Sequence, residues 1–351
     1  MQQGPLILVG NHIAANQQNG REQVSDFAPR QDYIEIAQRL GGTLVGYNLF
    51  DNAWYTWARQ VEKRIKLDVS QAIFAASQST KHNIIYSTSE KMAIPLAAFL
   101  SLAGRKTPHI MTAHKLSSRF KTGLFRIWPL HRTFCHIISD CRSQVDYAIK
   151  QLGLPESKVD FIYHNVDHRF YRPLNVETNN YILAVGREQR DYKTLLQAIS
   201  GTNIRLIIVS SSLWSTSRIE IAEIGETTVL SHISYQELRT LYAQARLVVI
   251  PLFDVDYAAG NTTLLEAMAM AKPVIVSRIR GITDYVEHDE TGIYVSPGDV
   301  MELREAILSL WSKPREYNRL GTNGRQKVEE CMNLDIYVDR VVGIVEKVIG
   351  S

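Results

Sequence analysis

The segment from Asp254 to Asp299 holds the residues of this chain best suited to chemistry. An apolar run, Leu247–Pro251, leads toward Gly260-Asn261-Thr262-Thr263, and the helical period that begins there carries Glu266. The first turn of a helix leaves backbone N–H groups without partners and with a partial positive charge, and a glycine there has no side chain to keep a phosphate away. The stretch can therefore seat an anion, with Thr262 and Thr263 adding hydroxyls. Glu266, one turn further in, can accept two hydrogen bonds from a diol such as a ribose. The plainer alternative is that Thr262 caps the helix and Glu266 completes the capping arrangement. A second apolar run, Tyr181–Val185, ends in Gly186-Arg187-Glu188-Gln189-Arg190-Asp191-Tyr192-Lys193, which sets Arg187, Arg190 and Lys193 just past the carboxyl end of a strand. Arginine grips phosphate oxygens in a forked geometry. A solvated charged turn is the alternative, and it suits Lys193. Fixed cations opposite a helix start would hold a diphosphate leaving group without a metal ion.

These residues need a scaffold, and the apolar pattern supplies one. Short buried-strand runs (Pro5–Gly10, Thr43–Tyr47, Asn83–Ser87, His109–Ala113, His136–Ser139, Val159–Tyr163) alternate with helical segments such as Gln31–Leu40, Val69–Ser79, Met92–Ala103 and Arg142–Leu152. A polar stretch, Asn175 to Asn180, reads as a linker. The alternation then restarts with strands Tyr181–Val185, Ile204–Ser210, Leu247–Pro251, Pro273–Ser277 and Ile293–Val295. Helices are expected at Lys193–Ala198, Tyr235–Gln244, Thr262–Ala271, Thr283–Glu287, Val300–Trp311 and Pro314–Cys331. Such alternation predicts an α/β protein of two Rossmann-like, doubly wound domains facing each other across a cleft, with ligands at the carboxyl ends of the strands. The domains are placed at residues 1–174 and 175–331.

Composition narrows the field. The chain has 351 residues, 39 Lys+Arg against 36 Asp+Glu, 45% hydrophobic and 21% charged residues, as a globular protein does. A net charge of +3 argues against a nucleic-acid coat. Cys135, Cys141 and Cys331 cannot all pair within one chain and include no Cys-x-x-Cys spacing, so a reducing compartment and no cysteine-built zinc site are expected. The apolar stretch Met92 to Gly104 is too short to span a bilayer, and MQQGPLILVG lacks the basic start of a secretory leader, so the expected location is the cytoplasm.

The second half resembles the family 4 retaining glycosyltransferases of GT-B fold, which transfer a sugar from a nucleotide sugar. The resemblance rests on LAVGR (183–187), RDYKTLLQAI (190–199), YQELRTLYAQARLVVIP (235–251) and LLEAMAMAKPVIVSRIRGITDYVEHDETGIYVSPGD (264–299), with weaker matches in IIYST, MTAHK and IYHNVDHRFYRP. It implies that Arg187 and Arg190 hold the donor diphosphate, that Glu266 binds the ribose, and that His114 lies near the transferred sugar. It also implies that the His232-Ile233-Ser234 loop lines the base, with its backbone reading the base edge and Ile233 packing on the ring. The terminal segment 332–351 would pack back on the first domain. The co-substrate would be a UDP- or GDP-sugar, with no other cofactor. The chain departs from the family at Ala258, where a glutamate that touches the donor sugar is usual; Asp256 is the acidic residue nearby.

On the acceptor side, the polar segment Asn11 to Arg30 reads as a lid, with Asn11 and His12 as its polar handles. Residues 105–132 contain Arg105, Lys106, Lys115, Arg119, Lys121, Arg126 and Arg132 and no acid, interleaved with Phe120, Leu124, Phe125, Ile127, Trp128 and Leu130. That composition suits the peripheral face of an anionic membrane, a groove for an anionic acceptor, or a helix whose aromatics face the core. The expected activity is metal-independent retaining hexosyl transfer to a lipid, glycan or other hydroxyl acceptor. A sugar-nucleotide epimerase is one alternative, disfavoured because His114 has no evident carboxylate partner; a catalytically silent nucleotide-sugar-binding subunit is the other.

Overall fold

The computed structural model describes residues 3–13, 26–50, 60, 62, 64–127, 130–210 and 226–350. The first sheet contains β1 (Leu6–Leu8), β2 (Thr43–Val45), β3 (Ile85–Ser87), β4 (His109–Ala113), β5 (His136–Ser139) and β6 (Val159–Phe161), in the order β2-β1-β3-β4-β5-β6. The second contains β7 (Tyr181–Val185), β8 (Arg205–Val209), β9 (Thr227–Leu230), β10 (Leu247–Ile250), β11 (Val274–Ser277) and β12 (Ile293–Val295), in the order β12-β11-β10-β7-β8-β9. Every ladder is parallel. Parallel sheets are covered on both faces, which is why β4, β7, β10 and β11 are buried along their whole length and are largely apolar, β4 carrying His109 and Thr112 and β11 ending in Ser277. Helices alternate with the strands, so each sheet is a Rossmann-like unit.

The core of the second domain joins Ile182, Ala184, Leu206, Ile208 and Val249 of its sheet to Leu195, Leu196 and Ile199 of the helix Tyr192–Ile199. That helix starts where Asp191 accepts the Thr194 N–H at 3.1 Å and the Thr194 hydroxyl at 2.6 Å. In the first domain, Met111, Ala113 and Ile137 of the sheet pack with Ala93, Ile94 and Ala97 of the helix Glu90–Leu102.

Among the described residues, one compact unit comprises 3–13, 30–163 and 335–350, and the other 26–29 and 164–334. The main boundary thus falls after Tyr163, ahead of the polar linker. The intervening segment is committed to the second unit: Phe170 lies under the Arg239 guanidinium, the Tyr171 ring meets Tyr242 edge to face, and Val166 bridges to Asn333. The terminal helix Leu334–Gly350 belongs from Asp335 onward to the first unit, where Arg30 Nη1 donates to Asp335 Oδ1 at 2.9 Å and Arg39 pairs with Asp339.

Four elements differ from the sequence reading. The strand β9 was not expected, since Thr227–Leu230 is an edge strand with no fully buried residue and little apolar signal. The helix Arg119–Ile127 lies in what read only as a basic stretch. Residues 283–287 form no helix; Tyr285 is fully buried, and the Tyr294 hydroxyl donates to the Ile282 and Val286 carbonyls, so side-chain anchors set the path of the chain. The helix from Pro314 ends at Lys327 and passes into one π turn, Val328–Met332.

Candidate functional site

In the second sheet the strand order reverses between β7 and β10. At such a switch point the loops that leave the two strands part in opposite directions and open a crevice at their carboxyl ends. The loop after β7 carries Gly186, Arg187 and Arg190, and the loop after β10 leads to Gly260 and the helix Asn261–Ala269. The two loops are tied together: the Asp191 N–H donates to the Pro251 carbonyl and the Phe253 N–H to the Gln189 carbonyl, both at 3.0 Å.

Arg190 is the keystone of this crevice. Its Nε donates to the Val185 carbonyl at 2.9 Å, Nη1 to the Glu188 carbonyl at 2.8 Å and Nη2 to the Thr263 hydroxyl at 3.1 Å. A Cβ on Gly186 would lie 2.6 Å from Nη2, and one on Gly260 would lie 3.3 Å from Nη1, so both glycines make room for the same guanidinium. Arg190 therefore first braces the two loops; burial lowers its pKa. Arg187, half-buried, follows Gly186 at the strand end.

Gly260 caps the helix Asn261–Ala269 with φ +85, a left-handed conformation that favours glycine, and no side chain caps the helix there. The alternative of a Thr262 cap completed by Glu266 does not hold. Thr262 is inside the first turn, its N–H held by Asn261 Oδ1 at 2.8 Å and its hydroxyl 3.3 Å from His164 Nε2. Glu266 instead accepts from the Tyr242 hydroxyl at 2.8 Å, and the Tyr171 hydroxyl approaches the same carboxyl. Burial pushes the Glu266 pKa up to about 7, against the pull of the two hydroxyls and of Arg190. His164, Tyr171 and Tyr242 escaped the sequence reading because nothing in their spacing links them to Glu266.

Other expected residues fare differently. Ser234 is consumed by a capping box: its N–H donates to Glu237 Oε2 at 2.7 Å, its hydroxyl accepts the Glu237 N–H at 3.2 Å, and its carbonyl accepts the Leu238 N–H. The Ser234 backbone is thus not the reader of a base edge; Ile233, half-buried, keeps that neighbourhood. Lys193 is exposed on the first turn of its helix. Asp256 is half-buried, whereas Ala258 is buried where Tyr257 and Ala258 cross Gly281, so closely that a Cβ on Gly281 would lie 2.0 Å from the Tyr257 carbonyl carbon.

In the first domain the strand order reverses between β1 and β3. Asn11 is half-buried after β1 and passes its carbonyl to the Tyr47 N–H; the exposed His12 ring sits 5.9 Å from that of Tyr47. His114 directly follows β4. Its Nδ1 is 2.9 Å from Asp140 Oδ2, and its backbone N–H donates to Glu90 Oε2 at 3.0 Å. Glu90 Oε1 also accepts from Lys121 Nζ at 2.7 Å. Burial works against a charged His114, but Asp140 outweighs it and raises the pKa to about 9. Burial likewise opposes the charged Glu90, and Lys121 and His114 overcome it and hold the carboxyl below its ordinary value. The expectation that His114 lacks a carboxylate partner is therefore corrected: two strand ends deliver one.

The basic stretch is mixed. Arg105, Lys106, Arg119 and Arg132 are exposed and Phe120 is 52% exposed, but Phe125 and Leu130 are buried and Lys121 is turned inward to Glu90. Trp128 lies outside the described residues. Among the described residues no helix is long and apolar enough to cross a membrane, and no group of three or more His, Cys, Asp or Glu side chains is arranged to hold a metal ion.

Two Rossmann-like domains with a binding crevice at the switch point of the second define the GT-B class of glycosyltransferase fold. Residues 168–327 match the family model described as Glycosyl transferases group 1. The MMP alpha-(1->4)-mannosyltransferase of Mycolicibacterium hassiacum is 29% identical over 198 residues, covering 53% of this chain and 47% of that protein. The O-antigen chain mannosyltransferase C of Escherichia coli is 29% identical over 197 residues, covering 54% and 53%. The chain thus spans about half the length of these relatives. The Anabaena protein HepE, solved in complex with UDP-glucose, superposes with a TM-score of 0.71 at 15% identity, covering 98% of this chain and 100% of that one, which is a likeness of fold.

Proposed function

We propose that the protein is a glycosyltransferase that moves a sugar from a nucleoside diphosphate sugar, UDP- or GDP-linked, to a hydroxyl of a lipid, glycan or other acceptor, with retention at the anomeric carbon. The observation that carries this reading is the convergence, at one switch point, of the Arg190 guanidinium, the glycine-capped helix start and Glu266. In this reading the N–H groups at the helix start, Arg187 and the Arg190 fork meet the charge that grows on the diphosphate as the glycosidic bond breaks, so no metal is called upon. Glu266 holds the ribose, Asn261, Thr262 and Thr263 border the diphosphate, Asp256 serves the sugar hydroxyls in the place of the glutamate replaced by Ala258, and His114 serves the transferred sugar from the first domain. Relatives named as mannosyltransferases make a mannosyl donor the first to try.

The test is a thermal-shift screen of UDP, GDP and their sugars, followed by nucleoside diphosphate release on adding lipid or glycan acceptors. A ligand at 100 times its Kd adds about 2.7 kcal/mol of stability. Acceptor-dependent release that disappears in Glu266→Ala supports transfer. Turnover of the nucleotide sugar alone into an isomer would favour an epimerase, and binding without turnover a silent subunit. The exposed Arg119–Phe120 edge is proposed to rest on anionic lipid; unchanged sedimentation of Phe120→Ser with phosphatidylglycerol vesicles would refute that contact.

A further inference from the structure

His114 and Asp140 come together through strand register. Ala113 and Ser139 are ladder partners at the ends of β4 and β5, and the Ser139 hydroxyl donates to the Ala113 carbonyl at 2.8 Å, locking the two strand ends side by side. The next residue on each strand is therefore held beside its neighbour, and the 2.9 Å contact between His114 Nδ1 and Asp140 Oδ2 follows. Asp140 is 4% exposed, whereas the His114 side chain is 42% exposed. This is the layout of a buried carboxylate presenting a histidine outward, the anchored edge fixing the ring and its protonation.

We propose that Asp140 is the positioning residue of His114, holding the ring by Nδ1 so that the first domain presents it as a fixed cation to an oxygen that gains negative charge during transfer. The proposal rests on the glycosyltransferase reading for the identity of that oxygen, but not for the hold itself. Every charged neighbour agrees with it. Glu90, from the start of the helix Glu90–Leu102, faces the His114 backbone with one oxygen and gives the other to Lys121, from the helix Arg119–Ile127, so its charge is partly neutralised. Asp140, on the β5 side, is left as the dominant partner of the ring, and the Thr88 carbonyl also favours the protonated form. Against burial, Asp140 beside the ring thus favours its protonated form, lifting its pKa from 6.5 to about 9.

The experiment follows the His114 ring by NMR across pH in the full chain, in the wild type, Asp140→Asn and Asp140→Glu, and records the pH profile of transfer from a sugar nucleotide in parallel. Removal of an adjacent opposite charge should lower the His114 midpoint by about 1–2 pH units in Asp140→Asn. The alkaline limb of the kcat profile should move with it, KM for the donor should change less than about twofold, and Asp140→Glu should restore most of both shifts. A folded Asp140→Asn whose His114 midpoint stays put, or whose rate falls with no change in pH profile, overturns the proposal. If the wild type transfers no sugar while the midpoint still moves, the hold stands and the glycosyltransferase reading is what fails.

Discussion

Replacing Glu266 by Gln separates what this carboxylate costs the fold from what it gives to a ligand. The side chain is 9% exposed, and burial brings its pKa from 4.5 to about 7. A shift of that size makes ionisation of Glu266 in the folded protein unfavourable by about 3 kcal/mol relative to the unfolded chain. The folded state holds this proton more tightly than the unfolded state, so the wild type loses stability as pH rises from about 4.5 to about 7 and does not regain it above. Gln keeps the shape and an oxygen that can accept from Tyr242, but carries no charge. At about pH 8 the variant should therefore be the more stable protein in urea unfolding, by up to about 3 kcal/mol, and near pH 4 the two should coincide. Ligand binding should run the other way. Hydrogen bonds from ribose hydroxyls to an ionised carboxylate contribute about 1.5–3 kcal/mol, so calorimetry at about pH 8 should show UDP or GDP binding weakened roughly ten- to a hundredfold in the variant, with inorganic pyrophosphate nearly unaffected. A variant less stable than the wild type at pH 8, or equal losses for nucleotide and pyrophosphate, would refute the assignment of Glu266 as a buried ribose acceptor.

Further expectations share the same geometry. Arg187→Ala should weaken nucleoside diphosphate binding by about 1.5–3 kcal/mol in calorimetry, and unchanged affinity removes Arg187 from the site. Gly281→Ala forces a Cβ into the Tyr257 carbonyl, so its melting temperature should drop and nucleotide-induced stabilisation should fall with it; a variant that melts like the wild type contradicts the tight crossing. The raised pKa of His114 adds stability in full below about pH 6.5 that disappears as pH rises through about 9, and because the ring is 42% exposed water screens much of it. The stability difference between the wild type and His114→Gln should accordingly shrink across that window, and a difference that grows with pH has the wrong sign.

The alternation of apolar runs reveals both sheets in the sequence because parallel strands are buried on both faces; β4, β5, β7 and β12 fall on the expected residues. The edge strand β9 lacked that signature. The residues of the crevice in the second sheet were legible for a related reason: a glycine directly after a strand marks a tight turn with room for a large side chain, and Gly186, Arg190 and Gly260 do meet. Residues that act through register were invisible. No spacing rule joins Asp140 to His114 or Tyr171 to Glu266, because those contacts depend on which strand lies beside which and on a segment that folds with the second domain. The Thr262 cap failed because Gly260, in a left-handed turn, starts the helix without side-chain help.

The return of the terminal helix to the first unit has a consequence for biosynthesis. Arg30 awaits Asp335, 305 residues downstream, and the buried face formed by Val338, Val341 and Val345 is supplied by residues translated after the whole of the second unit. On the ribosome the first unit thus cannot close until residues 335–350 have emerged, while residues 164–334 can finish a sheet and its core ahead of it. A stop codon introduced directly after residue 334 would leave the second unit its whole sheet and strike the first.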